Sequence, residues 1–320
     1  MKVLITGGAG FIGSHLSDAF IGRGDEVFVL DMAETGKVRH LLGHPRFHFI
    51  HDSVLNAPIV EALVDKTDLV YHLAAVVGVE HYVADPYSVL NVNINGTQNI
   101  LRAAYRSGKK VVFSSTSEVY GRNPKVPFDE DDERVLGSTK IDRWCYSTSK
   151  AAGEHFCFAY HRMGLPIVVT RYFNVYGPRL AQTDKGRVIT IFIGQILRKQ
   201  PITLVNGGAQ TRCFTYIDDA IRATVEAGLN PKAVGEIFNI GTADETSILR
   251  LAEIMAKLTN HQAGIVDVPQ EKVYGKYYED VGRRVPQVHQ TEGILGVKMT
   301  TPLEEGLKLT LDWFFANASA

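Results

Sequence analysis

The chain has 320 residues, of which 45% are hydrophobic and 22% charged, and its formal net charge at pH 7 is −1. This balance is typical of a soluble globular protein and gives no general attraction to nucleic acid or to an anionic membrane. No apolar run reaches the roughly 18 residues of a membrane-spanning helix, and the start, MKVLITGGAG, does not have the pattern of a signal peptide. Cys145, Cys157 and Cys213 have no paired spacing, so we expect reduced thiols, no metal site and a cytoplasmic location.

The first half of the sequence alternates short apolar runs with helical stretches. Helical patterns cover 12–23, 86–107 and 147–163. The runs are continuously apolar, as in parallel strands that are buried on both faces. Repeated β-α units of this kind predict an α/β fold, a Rossmann-type doubly wound parallel sheet. The predicted strands are 2–6, 26–30, 47–50, 69–74, 110–115 and 167–173.

The pattern loosens after residue 175. Helices are predicted at 188–199 and 302–316, and a strand leads into a helix within QTRCFTYIDDAIRATVEAG. We expect 1–175 to form the dinucleotide-binding domain with the catalytic residues, and 176–320 to form a smaller, mainly substrate-binding domain, with some elements interleaved. The second part is expected to cover the crevice at the strand ends, where open α/β sheets bind ligands.

A glycine-rich turn, TGGAGFIGSH, joins the first predicted strand to the first helix. Gly7 permits the tight turn, Gly10 lets the backbone approach a pyrophosphate, and Gly13 allows close helix packing. The helix amino terminus offers free N–H groups and a positive dipole end to phosphates. The motif predicts a dinucleotide site, at which we also expect Phe11 and Ile12.

Asp31 ends the second predicted strand, 18 residues after Gly13. A carboxylate there accepts hydrogen bonds from the adenosine ribose hydroxyls and repels a 2′-phosphate, so we predict NAD rather than NADP. Asp52 follows the third strand. It either reaches the adenine amino group or caps the turn before Ser53, and the sequence leaves both interpretations open.

The segment YSTSK places Tyr146 and Lys150 four residues apart, on one face of a helix. A lysine ammonium near a phenol favours the phenolate, lowers the tyrosine pKa and makes it a usable general base. The segment YRSGK at 105–109 has the same spacing, but Gly108 breaks that helix. Tyr146 follows a loop and comes about thirty residues after the hydroxyl-rich strand end SSTSEVYG.

Together these motifs resemble the extended short-chain dehydrogenases/reductases that act on nucleotide-diphosphate sugars, over nearly all of the chain. The resemblance rests on the glycine motif, HLAA at 72–75, NINGT at 93–97, SSTSEVYG at 114–121, YSTSK at 146–150, RYFNVYGPR at 171–179 and RCFTYIDD at 212–219. Besides the residues above, it implies NAD contacts from Ser53, Leu73, Ala74, Ala75, Asn93, Tyr146 and Lys150.

The resemblance implies a catalytic triad of Thr116, Tyr146 and Lys150. Tyr146 would take a proton from a sugar hydroxyl while hydride passes to NAD, Thr116 would bind that oxygen, and Lys150 would also hold the nicotinamide ribose. Arginine suits the pyrophosphate through its bidentate fork. The implied contacts to a UDP-sugar substrate are Ser117, Asn174, Arg179, Arg187, Arg212, Tyr278 and Arg284.

Members of this family first oxidise the sugar C4 hydroxyl to a ketone and then epimerise, dehydrate or, with UDP-glucuronate, decarboxylate. Thr116-Ser117-Glu118 resembles the T-S-E of decarboxylases and of GDP-mannose dehydratases, whereas simple epimerases do not need that acid. The segment YGKYYEDVGRRVPQ at 274–287 resembles a UDP-glucuronate decarboxylase domain whose catalytic arginine matches Arg284. Gln287 departs from the aspartate common in UDP-xylose synthases.

We therefore predict an NAD-dependent UDP-glucuronate decarboxylase, a lyase that gives UDP-xylose or a UDP-4-keto-pentose, with Glu118 and Arg284 as catalytic residues. The alternatives are a UDP-sugar 4-epimerase acting on glucuronate or glucose, then a 4,6-dehydratase, and a non-catalytic NAD-binding regulator. Glu118 could also be an ordinary exposed strand end.

We also expect a homodimer, formed by the helices at 86–107 and 147–163 through a four-helix interface. The stripe of Phe156, Ala159, Tyr160 and Met163 fits that interface, and it fits a core within one chain equally well.

Overall fold

The computed structural model describes residues 1–180, 187–269 and 281–317. The α-helices in these ranges are α1 (Phe11–Gly22), α2 (Ala57–Lys66), α3 (Val79–Ala84), α4 (Pro86–Ser107), α5 (Arg143–Arg162), α6 (Val188–Leu197), α7 (Ile217–Leu229), α8 (Ile248–Leu258) and α9 (Leu303–Asn317). The strands are β1 (Lys2–Thr6), β2 (Glu26–Asp31), β3 (Phe47–His51), β4 (Leu69–His72), β5 (Lys110–Thr116), β6 (Ile167–Tyr172), β7 (Val175–Tyr176), β8 (Ile202–Val205), β9 (Thr211–Cys213), β10 (Thr215–Tyr216), β11 (Ile237–Ile240), β12 (Glu245–Ser247), β13 (Ile265–Val268) and β14 (Arg283–Arg284).

Seven parallel strands form the central sheet, in the order β11-β6-β5-β4-β1-β2-β3. The six predicted strands are all present, which confirms the α/β fold class. The seventh, β11, comes from the second half of the chain and pairs in register with β6, from Val169–Ile237 to Tyr172–Ile240. Its sequence, IFNI, is short, and the buried polar residue Asn239 interrupts its apolar run.

Helices cover both faces of the sheet, as a doubly wound fold requires. On one face, α2, α4 and α5 contribute residues such as Val60, Leu101 and Cys157 to one buried apolar layer. On the other face, α1 and α7 contribute to a second layer, and the Tyr71 hydroxyl on β4 donates to the Val225 carbonyl on α7 at 3.1 Å. Among the described residues no helix has both the length and the apolarity needed to cross a bilayer.

The second half adds three small sheets beside the central one, with strand orders β10-β7, β12-β9-β14 and β13-β8. A cavity of about 850 Å³ lies between these additions and the carboxyl ends of β1 to β6. This is the crevice in which open α/β sheets bind ligands.

Helix α5 begins earlier than its apolar pattern predicts, at Arg143 rather than at 147. Tyr146 therefore lies in the first turn of the helix. Because first-turn residues lie at the end of a helix, the tyrosine can reach the adjacent end of β5.

Candidate active site

The turn after β1 has the geometry that its glycines predict. Gly7 has a positive φ of 73°, and the Gly10 N–H donates to the Gly7 carbonyl at 3.0 Å. A Cβ at Gly7 would lie 2.7 Å from the Ala74 backbone nitrogen, and one at Gly13 would lie 2.2 Å from the Gly7 carbonyl oxygen. Both positions thus require glycine, and the turn leaves a bare backbone surface at the start of α1, which fits a pyrophosphate.

Asp31 lies at the end of β2, beside this turn. One carboxylate oxygen accepts from the Ala9 N–H at 2.9 Å and the other from the Ala33 N–H at 2.8 Å. These bonds orient the carboxylate at the cavity wall, and each oxygen keeps a further lone pair for a ribose hydroxyl. The residues present therefore fit NAD. The other predicted cofactor residues that line the cavity are Phe11, Ile12, Ser53, Leu73, Ala74 and Ala75.

Asp52 also lines the cavity, but both of its oxygens order the turn before α2. They accept from the Ser53 N–H at 2.6 Å and from the Asn56 side-chain amide at 2.9 Å. Asp52 therefore caps the turn, which is one of the two interpretations that the sequence left open. A contact of Asp52 with adenine stays a prediction.

Asn93 lies behind the cavity wall rather than in it. Its side-chain oxygen accepts from the Val76 N–H at 2.8 Å, and its amide donates to the Ser149 hydroxyl at 3.0 Å. The side chain is 2% exposed. It ties the loop after β4 to α5, so the geometry gives it a positioning role where the sequence predicted direct contact with the cofactor.

The predicted triad meets at the carboxyl end of β5. Thr116 lies near enough to the Tyr146 phenol to lower its pKa, and the Lys150 ammonium donates to the Ser114 carbonyl at 2.7 Å. Tyr146 is 7% exposed and Lys150 is 3% exposed. Strand β5 and helix α5 thus bring all three predicted residues to one place.

A third contact between β5 and α5 lies one helical turn beyond Lys150. The Ser115 hydroxyl donates to the Glu154 carboxylate. Arg171 of β6 binds the same carboxylate with two nitrogens, at 2.9 and 2.7 Å, and both side chains are buried. A bidentate buried pair has little freedom to shift, so it fixes how α5 lies against β5 and β6. No sequence motif predicted this cluster, because its members come from three separate elements.

Burial raises the pKa of the Tyr146 phenol above its usual value, and the nearby charge of Glu118 raises it further. The charge of Arg187 and the Thr116 side chain act in the opposite direction but do not outweigh burial. Burial also lowers the pKa of Lys150 to about 8. The net shift of the tyrosine pKa in the protein by itself is therefore upward, opposite to the lowering expected from the lysine, because loss of water around the phenol dominates.

Tyr82 is a further residue of the site that the sequence did not predict. Its ring stacks on that of Tyr146, with centroids 4.9 Å apart and planes 11° from parallel. It is 2% exposed and lines the cavity. The short helix α3 that carries it lies in a segment without a motif, so a single aromatic residue there gave too weak a signal.

Two arginines form the opposite wall of the cavity. Arg212 on β9 and Arg284 on β14 are direct partners in the parallel pairing of these strands. Both line the cavity and are 9% and 7% exposed. The Arg212 guanidinium donates to the carbonyls of Thr211 at 2.7 Å and Gly282 at 3.2 Å. Two adjacent buried cations favour a ligand with more than one acidic group.

Glu118 faces this arginine pair. The carboxylate lies 3.9 Å from the Arg284 guanidinium, and its side chain is 19% exposed. Its second oxygen is buried and has no hydrogen-bond partner within the described part of the chain. The Ser147 hydroxyl donates to the Glu118 carbonyl at 2.7 Å and holds this turn against α5. Glu118 is thus not an ordinary exposed strand end.

Most of the other predicted substrate contacts line the same cavity; they are Ser117, Asn174 and Arg187. Arg179 does not. Its guanidinium donates to the Asp18 carboxylate at 2.6 Å and contacts His15, both on α1. The predicted contact of Arg179 with the substrate is therefore not supported. Asp18, which is 161 residues away in sequence, holds the Arg179 side chain against α1 instead. Tyr278 lies outside the described residues.

Comparison with known proteins places this geometry in a family. The model of the NAD dependent epimerase/dehydratase family matches residues 3–241. The UDP-N-acetyl-alpha-D-glucosaminuronate decarboxylase of Bacillus cytotoxicus is 41% identical over 316 residues, which are 98% of this chain and 97% of that protein. The UDP-glucuronic acid decarboxylase 1 of Arabidopsis thaliana is 36% identical over 314 residues, 96% of this chain and 68% of that protein.

Among solved structures, the UDP-glucuronic acid 4-epimerase from Bacillus cereus, in complex with UDP-glucuronic acid and NAD, superposes with a TM-score of 0.88 at 33% identity. The match covers 99% of each chain. The predicted fold and cofactor are confirmed. The chain is an enzyme of the NAD dependent epimerase/dehydratase family, within the extended short-chain dehydrogenases/reductases, and its cofactor is NAD.

Proposed function

We propose that this enzyme decarboxylates a UDP-hexuronate through a C4-keto intermediate. The observation that carries the proposal is the pair of half-buried Glu118 and buried Arg284, 3.9 Å apart and lining the same cavity as Tyr146. A substrate carboxylate needs a buried cation as its partner, and proton transfer at C5 needs an acid–base group. An enzyme that acts at C4 of a neutral sugar needs neither, and one that acts at C4 of an acidic sugar needs only the cation.

The relatives support the same reaction and narrow the substrate to two candidates. The decarboxylase that is 41% identical acts, by its name, on a UDP-sugar acid with an N-acetyl group. The decarboxylase that is 36% identical is named for UDP-glucuronic acid. Both substrates have the carboxylate that Arg284 is proposed to bind, and they differ only at C2.

Oxidation at C4 is assigned to the β5–α5 side of the cavity. Tyr146 takes the proton of the C4 hydroxyl, and Thr116 holds the same oxygen by a hydrogen bond. When bound, NAD would supply the acceptor for the C4 hydride and a positively charged nicotinamide ring. Lys150, one helical turn from Tyr146 on α5, would hold the nicotinamide ribose, and these two positive charges would favour the phenolate that burial disfavours.

Loss of carbon dioxide then follows from the position of the ketone. The C4 ketone makes the sugar a β-keto acid, so the C5–C6 bond breaks, carbon dioxide leaves, and the electron pair forms an enolate at the C4 oxygen. Arg284 holds the departing carboxylate, and Glu118 relays a proton to C5. Return of hydride to C4 gives a UDP-pentose, whereas release before that step gives a UDP-4-keto-pentose.

The second candidate is a UDP-glucuronate 4-epimerase. It is favoured by the likeness to the Bacillus cereus epimerase in complex with UDP-glucuronic acid. Such an enzyme would also need Arg284 for the carboxylate, but it would keep the C5–C6 bond and would give Glu118 no proton to transfer.

The test is to incubate the purified protein, without added NAD, with UDP-glucuronate and separately with its 2-acetamido counterpart. Mass spectrometry would report loss of carbon dioxide, and proton NMR would report the configuration at C4. We expect carbon dioxide loss with at least one substrate, and loss that is about 10²- to 10⁴-fold slower with Tyr146→Phe. An unchanged mass with an inverted C4 proton would overturn the decarboxylase in favour of the epimerase.

We also propose that the protein is a cytoplasmic homodimer that pairs through α4 and α5. Phe156, Ala159 and Tyr160 on α5 are half-buried and Met163 is 56% exposed, so the predicted stripe retains area for a partner.

Residues 1–175 are proposed as the NAD-binding domain and 176–320 as the mainly substrate-binding one, although β11 joins the central sheet.

A further inference from the structure

The short strand β14 decides which of two neighbouring arginines faces the cavity. It consists of Arg283 and Arg284, and successive side chains of a strand point to opposite faces. Arg284 is 7% exposed and lines the cavity, whereas the Arg283 side chain is 55% exposed. A shift of one residue against β9 would exchange them, so whatever fixes this register also fixes Arg284.

A carboxylate on the outer face of the small sheet binds Arg283. Glu245 on β12 accepts from the Arg283 Nε at 2.8 and 3.0 Å and from its Nη2 at 2.8 Å. The Thr211 hydroxyl on β9 donates to the same carboxylate. We call Glu245, Thr211 and Arg283 the outer clasp. It links all three strands of the sheet, since β9 lies between β12 and β14.

The clasp acts against a repulsion on the inner face. Arg212 and Arg284 are direct partners across β9 and β14, and two buried guanidinium groups side by side repel each other. That repulsion acts to part the two strands. Most exposed ion pairs stabilise little, but bidentate arginine–carboxylate geometry is the exception, and here a hydroxyl on the middle strand adds a third contact.

The other end of the segment is held independently. The Phe128 N–H donates to the Val285 carbonyl at 2.8 Å, and the Gln287 N–H donates to the Phe128 carbonyl at 2.8 Å. These bonds follow Arg284 in the chain. The Arg283 side chain contacts Glu245. Because Arg283 comes directly before Arg284 in the chain, the clasp holds the amino-terminal side of β14.

We propose that Glu245 and Arg283 are positioning residues that orient Arg284 toward the carboxylate of the substrate. In this arrangement an ion pair on the outer surface sets the selectivity of the cavity for acidic sugar nucleotides over neutral ones. The inference rests on the proposed function, because it takes the C6 carboxylate as the group that Arg284 binds.

The test compares two ligands that differ at C6, UDP-glucuronate and UDP-glucose, by isothermal titration calorimetry. A Tyr146→Phe background prevents turnover. We expect Glu245→Gln or Arg283→Gln to weaken UDP-glucuronate binding about five- to tenfold, the scale of coupling between contacting residues, and to leave UDP-glucose binding within about twofold. The double variant Glu245→Arg with Arg283→Glu rebuilds the ion pair with its charges exchanged, and it should restore most of the lost UDP-glucuronate affinity. A merely structural role of either residue, acting apart from the pair, would not predict this rescue.

The matched control is the exposed pair of Arg250 and Glu253 on α8, which lie 3.3 Å apart. Arg250→Gln should change neither affinity. If the clasp variants bind both ligands equally more weakly, or bind neither more weakly, the clasp inference is overturned and the proposed function stands. If the parent protein binds UDP-glucuronate no more tightly than UDP-glucose, the carboxylate role of Arg284 fails first and the clasp inference falls with it.

Discussion

The two walls of the cavity are built in different ways. On the catalytic wall, Thr116 and Tyr146 lie on β5 and α5, two long elements of the central fold. On the arginine wall, Arg212 and Arg284 lie on strands of three and two residues. The first wall is part of the central fold, and the second belongs to the small sheet β12-β9-β14 that carries the outer clasp. Under the proposed function, chemistry at C4 depends on the central fold, whereas recognition of the substrate carboxylate depends on the small sheet.

The largest expected effect breaks the catalytic wall. Tyr146→Phe removes the phenol that we propose takes the C4 proton, but it keeps the ring that stacks on Tyr82. We expect turnover to fall about 10²- to 10⁴-fold, the range of general acid–base catalysis, with little change in thermal stability. Carbon dioxide release would measure turnover, and calorimetric melting would measure thermal stability. A loss of less than tenfold would assign the proton transfer to another residue.

The next effect separates the two walls from each other. Arg284→Gln leaves Thr116, Tyr146 and Lys150 in place, so oxidation at C4 should continue while decarboxylation falls about 10²- to 10³-fold, the scale for losing one preorganised charge partner. Rapid mixing with UDP-glucuronate would follow reduced nicotinamide and carbon dioxide separately. An equal fall in both signals would mean that the arginine wall also serves the first step.

A smaller effect concerns the cofactor end of the catalytic wall. Asp31→Ala removes a carboxylate that the Ala9 and Ala33 backbone groups orient. Loss of hydrogen bonds to a charged group should weaken NAD binding about tenfold to a hundredfold, and NADP should lose less because the repulsion of its 2′-phosphate also disappears. Competition between the two dinucleotides for the NAD-depleted protein would measure this. An unchanged preference for NAD would place the discrimination elsewhere.

The smallest effect is a shift of a pH profile. Burial lowers the pKa of Lys150 to about 8, and the charge of Glu154 acts to raise it. The ammonium is therefore present below about pH 8 and is lost as the pH rises through that value. Glu154→Gln removes the supporting charge, so the alkaline limb of kcat/KM should move to lower pH.

Glu253→Gln on α8 is the control for that experiment and should leave the profile unchanged. A uniform fall of kcat/KM at every pH in Glu154→Gln would show that Glu154 only supports packing around Arg171.

The sequence predicted the catalytic wall better than the arginine wall, for a physical reason. The four-residue spacing of Tyr146 and Lys150 puts both on one face of a helix, and the family resemblance adds Thr116 from the end of the preceding strand. Arg179 matched a motif equally well, yet its side chain lies against Asp18 on α1. Its direction depends on a tertiary contact, which spacing within one segment does not report.

Two other features depended on the folded environment. The pKa of Tyr146 is set mainly by burial, and the depth of a residue is poorly visible in a local pattern. Strand β11 has only four residues with Asn239 among them, and its place beside β6 reflects pairing across the molecule. The predicted apolar runs succeeded because strands buried on both faces tolerate few polar residues.

The late origin of β11 has a consequence for how the chain is made. Strand β6 is buried along its whole length in the folded molecule, and its outer neighbour is made only when residue 240 has been added. An apolar strand edge that lacks its neighbour invites pairing with other chains. The cofactor half therefore completes its sheet only after β11 has been made, and a fragment that stops at residue 175 should aggregate.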